Sequence, residues 1–222
     1  AFLLGCNEFM VVGVISNIAK SYHASLSMVG LLVTFFAITY AVCTPVLTTV
    51  TSKYNRFKVL MAMLVIFWIG NTMTALAPNL FWLFVARIIT AAVAGVIISL
   101  ILVFVSVIAP LEKRSMLVAA VFSGFSTATI IGVPVGTTIS MLSSWYISFL
   151  VISVLTIIIG AALYWLVPRD SDQVTGSIKS QLWLMGDRRI VLGVVVMIAL
   201  MAAEYTFYTY IRPIINDVLG YS

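Results

Sequence analysis

The strongest constraint on this chain is the length over which charge is missing. Residues 21–52 and 115–168 carry no Asp, Glu, Lys or Arg, and residues 59–109 carry only Arg87. Apolar runs of this length cross a ~30 Å hydrocarbon core as helices. Seven such segments can be counted, at 1–18, 27–50, 59–77, 80–108, 115–141, 147–167 and 190–213. The ten-residue alternation of a membrane β-barrel is absent, which leaves helices as the way to satisfy the backbone in lipid. The expected fold class is all-α integral membrane: a multi-pass helical bundle of six helices followed by a seventh.

Composition removes the other classes. The chain is 63% hydrophobic and 9% charged, whereas soluble domains carry roughly a quarter charged residues. A formal charge of +5 does not point to nucleic acid, because the cations cluster in short inter-helix loops. Cys6 and Cys43 both fall in apolar segments and read as free membrane thiols, with no disulfide framework. The single His23 has no second ligand near it, so no metal site is expected. A signal peptide does not fit a first segment that holds Glu8 at its middle with no A-x-A site after it. The chain starts inside an apolar segment without Met, so a short preceding piece is expected.

Loop charge sets the orientation. Residues 51–58 hold Lys53, Arg56 and Lys58; residues 110–114 hold Lys113 and Arg114; residues 168–189 hold Arg169, Lys179, Arg188 and Arg189. The alternate loops 19–26, 78–79 and 142–146 hold only Lys20. The positive-inside rule then puts the basic loops and the N-terminus in the cytoplasm. Trp82, Trp145 and Tyr146 fit an interfacial belt near the outer ends. The 168–189 connection is longer and more polar, and its Ile178, Leu182, Trp183 and Leu184 suit a short interfacial helix. The expected organisation is an N-terminal six-helix half (1–167), a cytoplasmic inter-half loop (168–189), and a seventh helix opening a C-terminal half (190–222). A seven-helix receptor or sensor is the alternative; a retinal protein is not, since residues 190–213 hold no Lys.

Three ionisable residues lie within the spans: Glu8 in the first, Arg87 in the fourth and Glu204 in the seventh. A charge at mid-bilayer costs about 2.5–3.5 kcal/mol on insertion scales, and such residues usually face a bundle interior or a wet cavity. Either these groups serve proton coupling, or Glu8 and Arg87 form a buried ion pair that fixes packing. Glu8-Phe9 with Ile15 and Ile18 resembles Glu204-Tyr205 with Ile211 and Ile214, as expected if the seventh helix repeats the first in a six-helix parallel repeat. Tyr208 shares the Glu204 face at a spacing of four, whereas Tyr205 and Tyr210 point elsewhere. Asn7, Tyr205 and Tyr208 are the candidate substrate-cavity residues.

The fifth segment carries a different signal. Gly124, Ala128, Gly132 and Gly136 recur every four residues and Ser140 continues the stripe, a small-xxx-small pattern that admits a close helix neighbour. Pro134 removes a backbone hydrogen bond and is expected to bend the helix there.

Residues 123–137, Ser-Gly-Phe-Ser-Thr-Ala-Thr-Ile-Ile-Gly-Val-Pro-Val-Gly-Thr, resemble the helix-5 antiporter motif of the major facilitator superfamily. The likeness is greatest to its drug:proton antiporters of the arabinose-efflux-like and purine-efflux-like group. Residues 83–95, with Leu-Phe-Val-Ala-Arg at their start, resemble that superfamily's helix-4 motif, whose arginine is implicated in proton coupling. Glu8-Phe9 with Gly13 is similar to the group's first helix, and residues 205–213 to its seventh. Residues 47–60 stand where the helix 2–3 loop carries Gly-x-Leu-Ala-Asp-Arg-x-Gly-Arg-Arg. Here Thr48 replaces the first glycine, Ser52 the aspartate, Asn55 the second glycine and Phe57 one basic residue. Lys53 and Arg56 remain, and without the aspartate the loop lacks its usual gating ion pair. Ser16 stands where the family often has proline.

The resemblance implies a major-facilitator-type bundle of twelve helices, of which this chain covers the first six and the seventh. It implies a secondary transporter of the cell membrane rather than an enzyme: a monomeric, proton-coupled exporter (antiporter) of small organic solutes or drugs, of the multidrug-resistance kind. An importer or uniporter of the same fold is the variant reading. Its partners are the substrate, protons and the bilayer. Its energy source is the proton gradient, with no bound cofactor, and no P-loop appears that would bring ATP into the cycle.

Overall fold

A computed structural model describes the backbone of residues 1–167 and 188–219 and the side chains of residues 1–167 and 188–203. Among these residues the structure is all-helical. α1 runs Phe2–Ser21, α2 Leu26–Thr51, α3 Arg56–Ala75 and α4 Leu80–Ile108. A 3-10 turn (Leu111–Lys113), α5 (Arg114–Thr127), a π turn (Ala128–Gly132) and α6 (Val133–Leu142) together make the fifth span, and α7 (Trp145–Leu166) the sixth. α8, Arg188–Leu219, belongs to a separate unit.

Five short connections join the six spans, and short connections force neighbouring helices to run antiparallel. Polar side chains set several of the boundaries. Ser25, Asn55 and Asn79 accept from the backbone N–H of Met28, Lys58 and Trp82, capping α2, α3 and α4. The Asn55 cap explains why Arg56 and Lys58, expected in the loop, lie in the first turn of α3. α1 closes where His23 takes a left-handed φ of 50°, with the Ala24 N–H donating to the Ala19 carbonyl in a Schellman-type end.

α4 packs along α2 and α3, with α3 also lying on α7. Gly95 lets α4 approach α2 so closely that an added Cβ would overlap the side chain of Thr44. Most other apolar surface faces outward, as expected for a chain whose solvent is lipid.

Two expectations are corrected. Trp145 is not a belt residue: it is 6% exposed, its indole N–H donates to Ser21 Oγ at 3.0 Å, and its ring packs on Tyr22 and Phe149. Trp82 and Tyr146 do face outward. Nor is the disruption in the fifth span centred on Pro134. It falls one turn earlier, where the Val133 N–H reaches back five residues to the Ala128 carbonyl. Proline offers no N–H to Ile130, and its ring needs room from that carbonyl, so the chain widens into a π turn before it. The suggested interfacial helix at 178–184 lies outside the described residues.

The C-terminal end of α1 is clasped from two sides. Besides the Trp145 bond, the Tyr22 hydroxyl donates to the Ala77 carbonyl at 2.7 Å. Burial pushes this phenol above its ordinary pKa, which keeps it a neutral donor.

Candidate functional site

A charged side chain deep in a helical bundle must find partners from the helices around it. Arg87 is on α4 and 1% exposed. Its Nη1 donates to the Asn7 carbonyl at 2.7 Å and to Asn7 Oδ1 at 3.1 Å, and its Cζ sits 4.2 Å from the centroid of the Phe36 ring on α2. That is the geometry of a cation–π contact. With Oδ1 engaged by arginine, the Asn7 amide turns its Nδ2 to Asn71 Oδ1 on α3, at 2.5 Å. Asn71 Nδ2 donates in turn to the Phe67 carbonyl at 2.8 Å. Asn7 and Asn71 are both 0% exposed. Three helices therefore meet at the guanidinium, and α3 joins them through the Asn7 amide.

This network is incomplete in one respect. Arg87 Nε and Nη2 have no hydrogen-bond partner among the described residues. Nε carries one N–H and Nη2 two, so three of the five guanidinium donors are left over. Buried polar groups are usually satisfied by protein or by ordered water, so these donors call for a partner. Glu8 follows Asn7 in the chain, is half-buried, and lies within electrostatic range of the guanidinium. The two readings left open by the sequence, coupling and packing, thus share one location. Asn71 is not ionisable, so it does not stand out in its span as Glu8 and Arg87 do in theirs. Its signal is legible in the sequence, since an amide within a span is also costly unless it finds a partner.

The other face of α1 carries the glycine seam. A Cβ on Gly132 would overlap Cys6 Sγ, one on Gly136 would lie 2.5 Å from Met10 Cε, and one on Gly5 would lie 2.7 Å from Ala128 Cβ. Gly124 faces the backbone N of Phe2 at 3.1 Å by the same measure. Asn17 Nδ2 donates to Ser140 Oγ at 2.6 Å. The stripe predicted in the fifth span therefore docks on α1 from one end to the other. Cys6, read as a free membrane thiol, is free and buried in that seam. Pro134 itself is exposed, and its carbonyl accepts from the Thr137 and Thr138 hydroxyls, each at 2.8 Å.

Lys53 is exposed in the turn between α2 and α3, and Arg56 is the first residue of α3. Ser52, in place of the motif's aspartate, turns its hydroxyl onto the Thr49 carbonyl at 2.7 Å. The side chains of Glu204, Tyr205, Tyr208 and Tyr210 lie outside the described residues.

The sequence profile of the Major Facilitator Superfamily matches residues 1–222. Among curated relatives, the uncharacterized MFS-type transporters YtbD and YfhI of Bacillus subtilis are 32% and 30% identical over 222 and 221 residues. The inner membrane transport protein YdhP of Escherichia coli K12 is 28% identical over 218 residues, 98% of this chain. The chain spans about half the length of these relatives, 56% of each. A bacterial homologue of the human lysosomal transporter Spinster, solved inward-facing and unoccupied, matches all of this chain and 54% of its own with a TM-score of 0.64 at 17% identity, a likeness of fold. Charge-free spans, a helix-4 arginine held by helix 1 and a glycine seam on the same helix thus have one explanation: the chain belongs to the Major Facilitator Superfamily of membrane transporters.

Proposed function

We propose that this transporter is a proton-coupled exporter of small organic solutes or drugs, working by alternating access in the cell membrane as a monomer. In this reading residues 1–167 form the N-terminal half, residues 168–189 a cytoplasmic linker, and residues 190–222 the start of a second half. The N-terminus and the Lys53–Arg56 turn face the cytoplasm, as the charge of alternate loops argues. Two half-bundles rocking about a central cavity would expose it to each side in turn.

The single observation that carries the proposal is the Arg87–Asn7 contact beside Glu8. A carboxyl group can exist charged and neutral across the working pH range, so Glu8 is assigned as the proton carrier. Arginine does not release its proton under ordinary conditions, so Arg87 is assigned as the group that tunes the carrier. Through Asn7 the guanidinium is tied to the helix that bears Glu8, and through the seam that helix is tied to α5 and α6. A movement of α1 would therefore change the surroundings of Glu8 and the glycine packing together. Asn7, Tyr205 and Tyr208 are assigned to the cavity, Glu204 to a symmetric coupling position, and Gly124, Gly132, Pro134 and Gly136 to the sealing motif.

The experiment is transport of a panel of organic cations, nucleosides, sugars and hydrophobic drugs in inverted vesicles, with and without an imposed proton gradient. Accumulation that collapses with the gradient supports the proposal. Transport that only equilibrates the substrate, with the gradient irrelevant, replaces it with a uniporter; accumulation in right-side-out vesicles instead makes the protein an importer.

A further inference from the structure

Outside the Arg87 network, a groove of about 840 Å³ lies between α3 and α7. Its body is apolar, walled by Met61, Leu64 and Val65 on α3 and by Ile157 and Ala161 on α7. Gly160 of α7 also lines it, beside open space: a Cβ built there meets nothing within 4 Å. Its mouth is polar, framed by Asn55, Lys58 and Tyr164, and Tyr164 is held in place against Phe57 with ring centroids 5.8 Å apart. The other end stops at Trp68.

Length and charge together identify an occupant. From Asn55 to Trp68 the helix rises about 20 Å, close to the depth of one leaflet with its interface, so the groove suits a chain entering from one side only. The mouth is electrostatically lopsided. Arg56 and Lys58 sit in the first turn of α3, which holds no acidic residue, and cations at a helix N-terminus are disfavoured by the backbone dipole. The sequence from Phe9 to Leu111 holds no Asp or Glu, and Lys53 adds a third positive charge two residues before the Asn55 cap; Asp170 and Asp172, the acids that follow α7, lie outside the described residues. An anion from outside the chain would be favoured there, and an acyl chain would fill the apolar body below it.

We infer that the α3–α7 groove is a binding site for an anionic phospholipid of the cytoplasmic leaflet. One acyl chain lies along Gly160 and ends near Trp68, while the phosphate sits by Lys58 and Tyr164. Basic pockets between membrane helices on the cytoplasmic side hold anionic headgroups by the same physics. The inference rests on the cytoplasmic placement of the Lys53–Arg56 turn and on nothing else in the transport proposal.

The test uses the intact protein in phosphatidylcholine vesicles doped with a phospholipid bearing a photoactivatable group in its acyl chain. One arm uses the phosphatidylglycerol form and a parallel arm the phosphatidylcholine form, and adducts are located by peptide mass spectrometry. The expected result is phosphatidylglycerol adducts concentrated on residues 57–68 and 156–164, in yield about five-fold above the phosphatidylcholine arm, the preference that one basic group gives near an anionic lipid. Lys58→Gln, an exposed change, should erase the headgroup preference. Gly160→Leu, which fills open space, should lower adducts in the groove from both lipids. Even labelling of all outward helices with no headgroup preference would overturn the inference, as would crosslinks joining two copies through the groove. A cysteine at Lys53 in the same vesicles reports orientation separately. Labelling from outside refutes the cytoplasmic placement and with it the leaflet assignment; labelling from inside without headgroup preference refutes the lipid site alone.

Discussion

Replacing Gly132 by alanine adds one methyl group at a tight point of the seam between α1 and the fifth span, where it would overlap Cys6 Sγ. Elsewhere in a helix the same change is favourable by about 0.5–1 kcal/mol, because glycine loses more backbone freedom than alanine on ordering. Here the overlap opposes it. Forcing an extra carbon into a packed interior typically costs about 1–3 kcal/mol, and Cys6 cannot swing aside easily because it is buried in the seam. The sum for Gly132→Ala is a destabilisation of about 0–2.5 kcal/mol. Removing the sulfur first changes the sign. In a Cys6→Ala background the methyl group has room, and Gly132→Ala should stabilise by up to about 1 kcal/mol. A double-mutant cycle isolates the difference from the cavity left by Cys6→Ala itself, and the coupling should be about 1–3 kcal/mol. Reversible unfolding in mixed micelles, followed by circular dichroism, measures all four corners. If Gly132→Ala is equally stabilising in both backgrounds, the two helices do not touch at this position and the seam argument fails.

Other expectations follow from the same geometry. Gly132→Leu should block transport in a well-expressed protein by wedging α1 from the fifth span, measured as substrate flux in vesicles; Pro134→Ala, on an exposed position, should be milder. Asn71→Leu removes the acceptor that holds the Asn7 amide and leaves a buried donor unmet, a cost of about 1–3 kcal/mol that unfolding in micelles would register. Cysteines at Lys53 and Lys113 should react only with reagents admitted to the cytoplasm, and one at Ser143 only from outside. Labelling of Lys53 and Ser143 from the same side would overturn the orientation.

The helices were legible because lipid leaves the backbone few options. Charge-free length alone placed six described spans, with ends shifted by a few residues where Asn55 or the Ala24–Ala19 closure decided them. Arg87 was legible for the same reason: a guanidinium in an apolar run stands out. What the linear pattern did not carry was direction around each helix. Trp145 reads as a belt residue by its place near a span end, and only the neighbouring Ser21 and Tyr22 turn it inward. The glycine stripe announced a close neighbour without saying which, and the neighbour is the helix that bears Glu8. Asn71 carries a sequence signal too, because an amide inside a span is costly as a charge is. The π turn was not legible, because Pro134 predicts a disruption but not on which side of it the chain will widen.

The central claim is that Glu8 carries the proton beside an arginine that only tunes it. The most direct measurement compares Glu8→Gln with Glu204→Gln, each assayed for gradient-driven efflux and for gradient-independent exchange of the same substrate. Glutamine keeps the size and polarity of glutamate but cannot shuttle a proton, so the account predicts that Glu8→Gln loses efflux against a gradient and retains exchange. Efflux that survives in Glu8→Gln but not in Glu204→Gln would move the carrier to the last helix. Efflux that survives in both would contradict the account.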